Sequence, residues 1–352
     1  MPGAFERWKR LSADFAKLLG RLLAREPLGP DDVRAAFDAI LAGAWTPVQV
    51  GAFAVTLRMT GESAETIVSA AEAMRAAMAV VEHDLPVVVD TCGTGGDGAH
   101  TLNLSSGAAI VVAACGLPVA KHGNRSISSR CGSADVVEAL GIPIDVPTAR
   151  QADVLKAAGI AFLFAQAHHP ALKHAAQARR ELGTRTIFNA LGPLANPARA
   201  THQLLGVYDD ALRAVAARAL GRLGVKRAWV VRSEDALDEV SPCAPTRVSE
   251  LTSAGDVREM VIAPEDFGIE RVPASAIAGG DVATNARALG AILEGEPHPA
   301  RSAVVLNAAA ALAVATGESP RACADRARRA IDQGAARETL ERWRRAAKLA
   351  RG

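Results

Sequence analysis

The chain has 352 residues, 49% hydrophobic and 22% charged, so it can bury a sizeable core and has the length of two domains or one large one. Its 40 Lys+Arg against 38 Asp+Glu leave a net charge of +2, which excludes a global field drawing the molecule onto nucleic acid or an anionic membrane. Its 8 Phe, 4 Trp and 1 Tyr are poor stock for base-stacking surfaces.

Up to about residue 80 the pattern predicts helices alone. Apolar residues at helical spacing cover 5–26, and a helix over 30–42 stops at Gly43. A third helix opens at Thr46-Pro47 and ends at Gly61, and a fourth is capped by Ser63 and runs to about Met78. At Leu85 the character changes. LPVVVD reads as a short buried strand, followed by helix 105–115, strand 117–121, helix 133–140, strand 160–165, helix 169–182, strand 203–208, helix 210–222 and strand 227–232. That alternation predicts an α/β fold with a mostly parallel central sheet. Segments 246–251 and 257–262, separated by TSAGD, predict a hairpin, and 281–351 returns to helix. The run Ala303 to Thr316 is too short for the roughly 20 apolar residues of a membrane span. The N-terminus MPGAFERWKR lacks a signal-peptide pattern, and five cysteines without a CxxC pair argue against a disulfide framework or a zinc site. A cytoplasmic protein with no membrane partner is expected.

The first candidate for chemistry is DTCGTGGDGAHTLNLSS (90–106). Gly93, Gly95, Gly96 and Gly98 follow a strand, where backbone N–H groups can form an anion-binding concavity, and Ser105 and Ser106 open the next helix. Gly93-x-Gly95-x-x-Gly98 matches a dinucleotide fingerprint literally, but the helix starts late and no acidic residue follows about 20 positions on. A plain tight turn is the weaker alternative. The second candidate is KHGNRSISSRCGS (121–133), a strand end offering Lys121, His122, Asn124, Arg125, Ser126, Ser128, Ser129 and Arg130, with Gly123 and Gly132 freeing the backbone. It lies on the same edge of the expected sheet, where open α/β folds bind ligands.

The stretch HHPALKHAAQARRELGTRTIFN (168–189) carries His168, His169 and His174 without a zinc-type spacing. Arg179 and Arg180 stand one turn before Gly183. Either could hold a carboxylate bidentately, and two solvated arginines fit the pattern as well. Asp238 and Glu239 follow the strand AWVVR. Adjacent carboxylates suit Mg²⁺ completed by phosphate oxygens, and they weigh more here because two phosphate-type loops need a cation. The segment 321–351 holds 10 Lys/Arg against 4 Asp/Glu, which reads as cations near a helix C-terminus rather than a nucleic-acid surface.

Together these motifs resemble the anthranilate phosphoribosyltransferases: GTGGDG with T-x-N-x-S-S, KHGNRS-x-SS, HHPAxKH…RRELGxRTxFNxLGPLxNPA and D-x-LDE stand in the family's order, over essentially the whole chain. The resemblance implies transfer of a phosphoribosyl group from phosphoribosyl pyrophosphate (PRPP) to anthranilate. Gly93, Gly96, Asp97, Thr101, Asn103, Ser105, Ser106, Lys121, Asn124, Ser126, Ser128, Ser129 and Ser133 would then surround PRPP, with His122, Gly123 and Arg125 in the same substrate loop. Ser105, Asp238 and Glu239 would serve Mg²⁺. Gly93, Asn124 and Arg179 would meet anthranilate, and Lys121, Asn124 and Arg179 would act in catalysis.

The resemblance also implies a nucleoside-phosphorylase-like α/β domain over 85–352, a helical domain over 1–84 joined by part of 168–197, and a homodimer through the helical domain. The sequence departs from the family pattern at Arg232-Ser233 (commonly His-Gly), Ala236 (Gly), Cys131 (Ser) and Ser106 (Thr). Two rivals remain. GTGGDG and RRELG count against a pyrimidine-nucleoside-phosphorylase-like enzyme, and the intact motifs count against a non-enzymatic nucleic-acid-binding homologue.

Overall fold

The computed structural model describes residues 15–126 and 130–352. The part of the first expected helix before residue 15, and Ser128 and Ser129, lie outside them.

Helix α1 covers 15–23, followed by α2 (Pro30–Leu41), α3 (Pro47–Thr60) and α4 (Ala64–Ala76). The caps read from sequence are in place. Thr46 Oγ1 accepts the Gln49 N–H while Gln49 Oε1 accepts that of Thr46, with Pro47 at the first helical position, and Ser63 Oγ accepts the Thr66 N–H.

The α/β body is built from β1 (Val89–Gly93), α5 (Leu104–Ala114), β2 (Val119–Gly123), α6 (Ser133–Ala139), α7 (Thr148–Ala158) and β3 (Ile160–Phe164). The chain then runs through α8 (Ala165–His168), α9 (Lys173–Leu182) and α10 (Ile187–Leu194) before β4 (His202–Gly206), α11 (Leu212–Arg222), β5 (Arg227–Ser233) and the hairpin β6 (Thr246–Leu251) and β7 (Val257–Ile262). Helices α12 (Val282–Leu293), α13 (Arg301–Thr316), α14 (Pro320–Asp332) and α15 (Ala335–Arg351) complete it. The seven strands lie in the order β3-β2-β1-β4-β5-β6-β7. β1 to β5 pair in parallel, and β6 and β7 are antiparallel. The chain builds outward from β1 to β3 on one side and from β4 to β7 on the other, so the switch point lies between β1 and β4. The carboxyl ends of these strands form the crevice where such folds bind ligands.

Residues alternating along the central strands feed two cores. Leu204, Trp229 and Val231 join the core built with α5 and α13, whereas Leu205, Ala228 and Val230 face α11 and the core shared with α1 to α4, α9 and α10. Helix α13 is apolar all round because it is enclosed all round: every residue from Ala303 to Val314 is buried. Among the described residues no helix is long and apolar enough to cross a membrane.

Three expectations need correction. The strand expected over Leu85–Asp90 begins only at Val89, where both flanking partners, Val119 and His202, are present. Leu85 and Val87 are half-buried approach residues, and Pro86 has no N–H to pair. The helix expected over 169–182 begins only at Lys173 as α9, after a 3₁₀ turn at Pro170–Leu172, because the ring of Pro170 disfavours helical geometry at His169 (φ −122°, ψ 58°). Helices α7 and α10 were not anticipated from sequence; Gly192 and Pro193 inside α10 mask its period.

Candidate active site

β1 ends at Gly93, whose missing side chain is required by close approach: a Cβ there would stand 2.5 Å from Asp238 Oδ2. The next residues turn with Gly95, Gly96 and Gly98 at φ +69°, +77° and +78°, which glycine adopts without steric cost. The loop is strapped at several points. Thr94 N–H donates to Gly206 O (2.9 Å), Gly95 N–H to Asp238 Oδ2 (2.7 Å) and Ala99 N–H to Asp97 Oδ1 (3.1 Å), while Thr101 bridges to Ala278. The result is a fixed glycine turn at the switch point, followed by α5 with Ser105 on its first turn.

From β2 the buried Lys121 reaches under this loop. Its Nζ donates to Thr91 O and lies 3.3 Å from Ser105 Oγ. Burial lowers the ammonium pKa, and the Asp90 carboxylate opposes that shift. Asp90 is itself fully buried. It accepts the His122 N–H (3.1 Å) and the Asn196 side-chain N–H (2.8 Å), and Asn196 also donates to Ala120 O, so Asp90 ties β1, β2 and the 195–198 turn together as the counter-charge of Lys121. His122 is also buried. As the neighbour of Lys121 in the strand it points to the other face, 5.1 Å ring to ring from His169.

The described residues on either side of 127–129 are tied to α6. Asp135 accepts from Gly132 N–H (2.9 Å), Ser126 N–H (3.4 Å) and the Arg125 guanidinium (2.7 Å), and Arg125 also reaches Glu138 at 3.0 Å. The charge of Arg125, expected near substrate, is therefore engaged by α6. Asn124 is held by its backbone: its N–H donates to Ser133 Oγ (3.2 Å) and its carbonyl accepts from Ala134 N–H (3.1 Å). Ser106 Oγ is buried without a hydrogen-bond partner.

The acidic pair hangs on the turn after β5. Here the departures from the family pattern have visible consequences. Ser233 Oγ accepts the Leu237 N–H (2.8 Å) and its own N–H donates to Leu237 O (3.1 Å), closing the turn, while Arg232 points away to Val207 O. Ala236 sits in the left-handed region at φ +72°, a position that suits glycine. The turn nevertheless delivers both carboxylates inward, Asp238 onto Gly95 N–H and Glu239 Oε1 onto Ser105 N–H at 3.1 Å. Burial, with Asp97 nearby, pushes Asp238 up to about 7; burial and Asp238 raise Glu239 well above the usual carboxylate range. Glu239 Oε2 is buried and has no partner. Among the described residues no group of three or more potential ligands is drawn together, so the two buried carboxylates, one with an orphaned oxygen, suit a hard divalent cation whose remaining ligands come from substrate oxygens.

Arg179 on α9 is half-buried, its guanidinium 5.8 Å from the Phe188 ring, and it makes no ion pair with any described residue; burial lowers its pKa. Arg180 is exposed. The three histidines separate. His168 Nδ1 is 2.9 Å from Ala79 O, His169 faces His122, and His174 lies against Gly43. The basic residues of α15 staple it to the body: Arg344 to Leu140 O at 2.6 Å and Arg351 to Asp145 at 2.9 Å.

Three residues at the site escaped the sequence reading. Asp90 looked like the last residue of a strand, and Asn285 like an ordinary helix residue. Arg185 stacks 4.4 Å over the Tyr208 ring, with its guanidinium 3.1 Å from where a Gly96 Cβ would stand. The signal that could have found it was its place between RRELG and TIFN.

The fold and this site match a known class in two pieces: the helical bundle domain of the Glycosyl transferase family over residues 16–78 and the a/b domain of that family over 85–337. An anthranilate phosphoribosyltransferase of Myxococcus xanthus is 50% identical over 323 residues, 92% of this chain and 96% of the relative. Among solved structures, that of the Thermus thermophilus anthranilate phosphoribosyltransferase superposes with a TM-score of 0.89 at 38% identity, covering 94% of this chain and 99% of the other. The Saccharomyces cerevisiae enzyme in complex with PRPP and Mg gives 0.88 at 28% identity, covering 96% and 98%. The chain belongs to the glycosyl transferase family and, within it, to the anthranilate phosphoribosyltransferases.

Proposed function

We propose that the protein transfers the 5-phosphoribosyl group of PRPP to the amine of anthranilate, giving N-(5-phosphoribosyl)anthranilate and pyrophosphate, a step of tryptophan biosynthesis in the cytoplasm. The observation that carries this reading is the convergence of Lys121 from β2 and Glu239 from the β5 turn on Ser105, with Asp238 beside them on the glycine loop at Gly95. A cation-demanding acidic pair and an ammonium beside backbone donors suit a magnesium-bound polyanion.

Breaking the C1–pyrophosphate bond builds positive charge on the ribose and negative charge on the leaving group, so the site must hold pyrophosphate more tightly as it departs. Lys121 and the N–H groups of the loop serve that end. Mg²⁺, held by Asp238, Glu239 and Ser105, would neutralise charge on the pyrophosphate. Gly96, Asp97, Thr101, Asn103, Ser106, Asn124, Ser126, Ser128, Ser129 and Ser133 complete the PRPP surroundings. Anthranilate's neutral aromatic amine needs alignment over C1 more than a strong base, and no covalent nucleophile is required. Arg179 grips its carboxylate, with Gly93 and Asn124 beside it.

Water must be kept out during the transfer, and a helical domain of 1–84 with part of 168–197 closes on the α/β domain of 85–352. In support, the chain crosses between them at three places bonded to one another. Ala79 N–H donates to His168 O (2.8 Å), Val81 N–H to Pro197 O (3.0 Å), and His83 Nε2 lies 2.7 Å from Ala198 O. The protein works as a homodimer through the helical domain. Val48 and Met59, 80% and 78% exposed at the two ends of α3, with half-buried Ala52 and Val55 between them at helical spacing, leave an apolar stripe on that domain.

The test is loss of anthranilate fluorescence on adding protein, Mg²⁺ and PRPP. Turnover that depends on all three supports the reading; phosphorolysis of a pyrimidine nucleoside with inorganic phosphate instead would replace it.

A further inference from the structure

Asn285, on the first turn of α12, is 1% exposed and bonds a side chain 182 residues away. Its Oδ1 accepts the Gly280 N–H at 2.8 Å, and its Nδ2 donates to Asn103 Oδ1 at 3.0 Å. Asn103 in turn donates from Nδ2 to Cys131 O at 3.3 Å, and the Cys131 thiol, with one proton to give, lies 3.3 Å from Asn103 Oδ1 and 3.6 Å from Gly132 O. Both ends of this relay are backbone groups with no choice of role: an N–H can only donate and a carbonyl can only accept. The polarity of each carboxamide between them is therefore decided, without the ambiguity that usually attends an asparagine. The relay also joins segments already linked by Gly279 N–H to His100 O (2.9 Å) and by the bridge of Thr101 to Ala278.

We infer that Asn285 is a positioning residue that locks Asn103 as a hydrogen-bond donor toward the phosphate-bearing substrate. The lock engages Asn103 Oδ1 through Asn285 Nδ2 and uses one proton of its amide on Cys131 O. What the half-buried carboxamide still offers is a single N–H, beside the glycine loop and the start of α5, and an anion takes that group. Turned over, the same side chain would present a carbonyl oxygen to an oxyanion. The inference rests on the PRPP reading proposed above.

The test compares Asn285→Asp with Asn285→Ala. The aspartate keeps size and still accepts from Gly280, but it faces Asn103 with a second acceptor, so Asn103 must flip. The alanine merely releases it. The KM for PRPP should rise roughly 10- to 100-fold in Asn285→Asp, the range expected when a charge-assisted hydrogen bond becomes a repulsion, and by a smaller factor in Asn285→Ala. The KM for anthranilate at saturating PRPP should stay within about twofold of the wild type, since this contact lies with PRPP. A role in packing alone gives the opposite order, with the cavity-forming alanine the worse variant, and that order overturns the inference. Equal KM values for PRPP in all three proteins, or parallel losses for both substrates, overturn it too. If Asn285→Asp does not fold, Asn285→Ala decides alone: a PRPP-selective rise in KM upholds the lock and an unchanged KM refutes it. A wild type that binds no PRPP fails the functional reading itself, and the two failures are thereby distinguished.

Discussion

The carboxylate of Asp238 accepts the backbone N–H of Gly95 at 2.7 Å, against a face of Gly93 that leaves no room for a side chain. One acidic residue thus both braces the phosphate-type loop and stands beside Glu239, and burial together with the nearby Asp97 charge raises the cost of ionising both. Replacing Asp238 with Asn and Glu239 with Gln keeps the acceptor oxygens and removes two charges. At saturating PRPP the double variant should need at least roughly tenfold more Mg²⁺ for half-maximal turnover. Its melting temperature without metal should not fall, because the amides remove the cost of ionising two buried carboxyl groups. An unchanged Mg²⁺ curve would show that the pair does not hold the cation.

Arg179 has a guanidinium that burial destabilises and no described carboxylate to balance it, so a ligand's carboxylate is the natural counter-ion. Arg179→Lys should weaken anthranilate use by about 1.5–3 kcal/mol in kcat/KM, as an ammonium cannot reproduce a bidentate contact, and leave the KM for PRPP nearly unchanged. Steady-state kinetics varying each substrate will tell. Equal damage to both would remove the assigned role.

His169 is buried with neither ring nitrogen bonded, and burial, with His168 nearby, lowers its pKa to about 4. The unfolded chain takes up this proton below about 6.5, whereas the folded one resists until about 4. The stabilising contribution is complete above pH 6.5 and is lost as pH falls through that window, by about 3 kcal/mol at its end. His122, whose pKa burial also depresses, acts in the same direction. Urea unfolding between pH 7.5 and 4.5 should therefore show falling stability, with a flatter acid limb in His169→Leu, a change that strands no hydrogen-bond partner. Identical limbs in the two proteins would contradict the assignment.

Ala236 keeps a left-handed backbone at φ +72° in the turn that delivers the acidic pair. Ala236→Gly should stabilise the fold by about 1 kcal/mol, with an unchanged slope in urea, since glycine carries no Cβ penalty there. Ala236→Val should cost stability and weaken Mg²⁺ response together. A destabilised glycine variant would mean that the turn relaxes in solution.

Much of the architecture is written locally. Thr46-Pro47 and Ser63 start helices because a side-chain oxygen, or a ring without an N–H, satisfies the first turn wherever it occurs. The hairpin spans 246–251 and 257–262 agree residue for residue with their sequence reading, because strand alternation around a short polar turn needs no distant information. The glycine loop and the Lys121 strand end were legible for the same reason, and the motif order was enough to place the chain in its family. The tertiary structure alone decided where β1 begins, that Arg125 spends its charge on Asp135 and Glu138, that Ser233 closes the turn beneath the acidic pair, and that Asp90 meets Asn196 and Asn103 meets Asn285. Apart from the local closures at Arg125 and Ser233, these are pairings across many residues, 106 in the case of Asp90 with Asn196. A buried hydrogen bond between such distant groups imposes no period or spacing on the chain at either end, so only the folded arrangement of strands and helices brings its two halves into view.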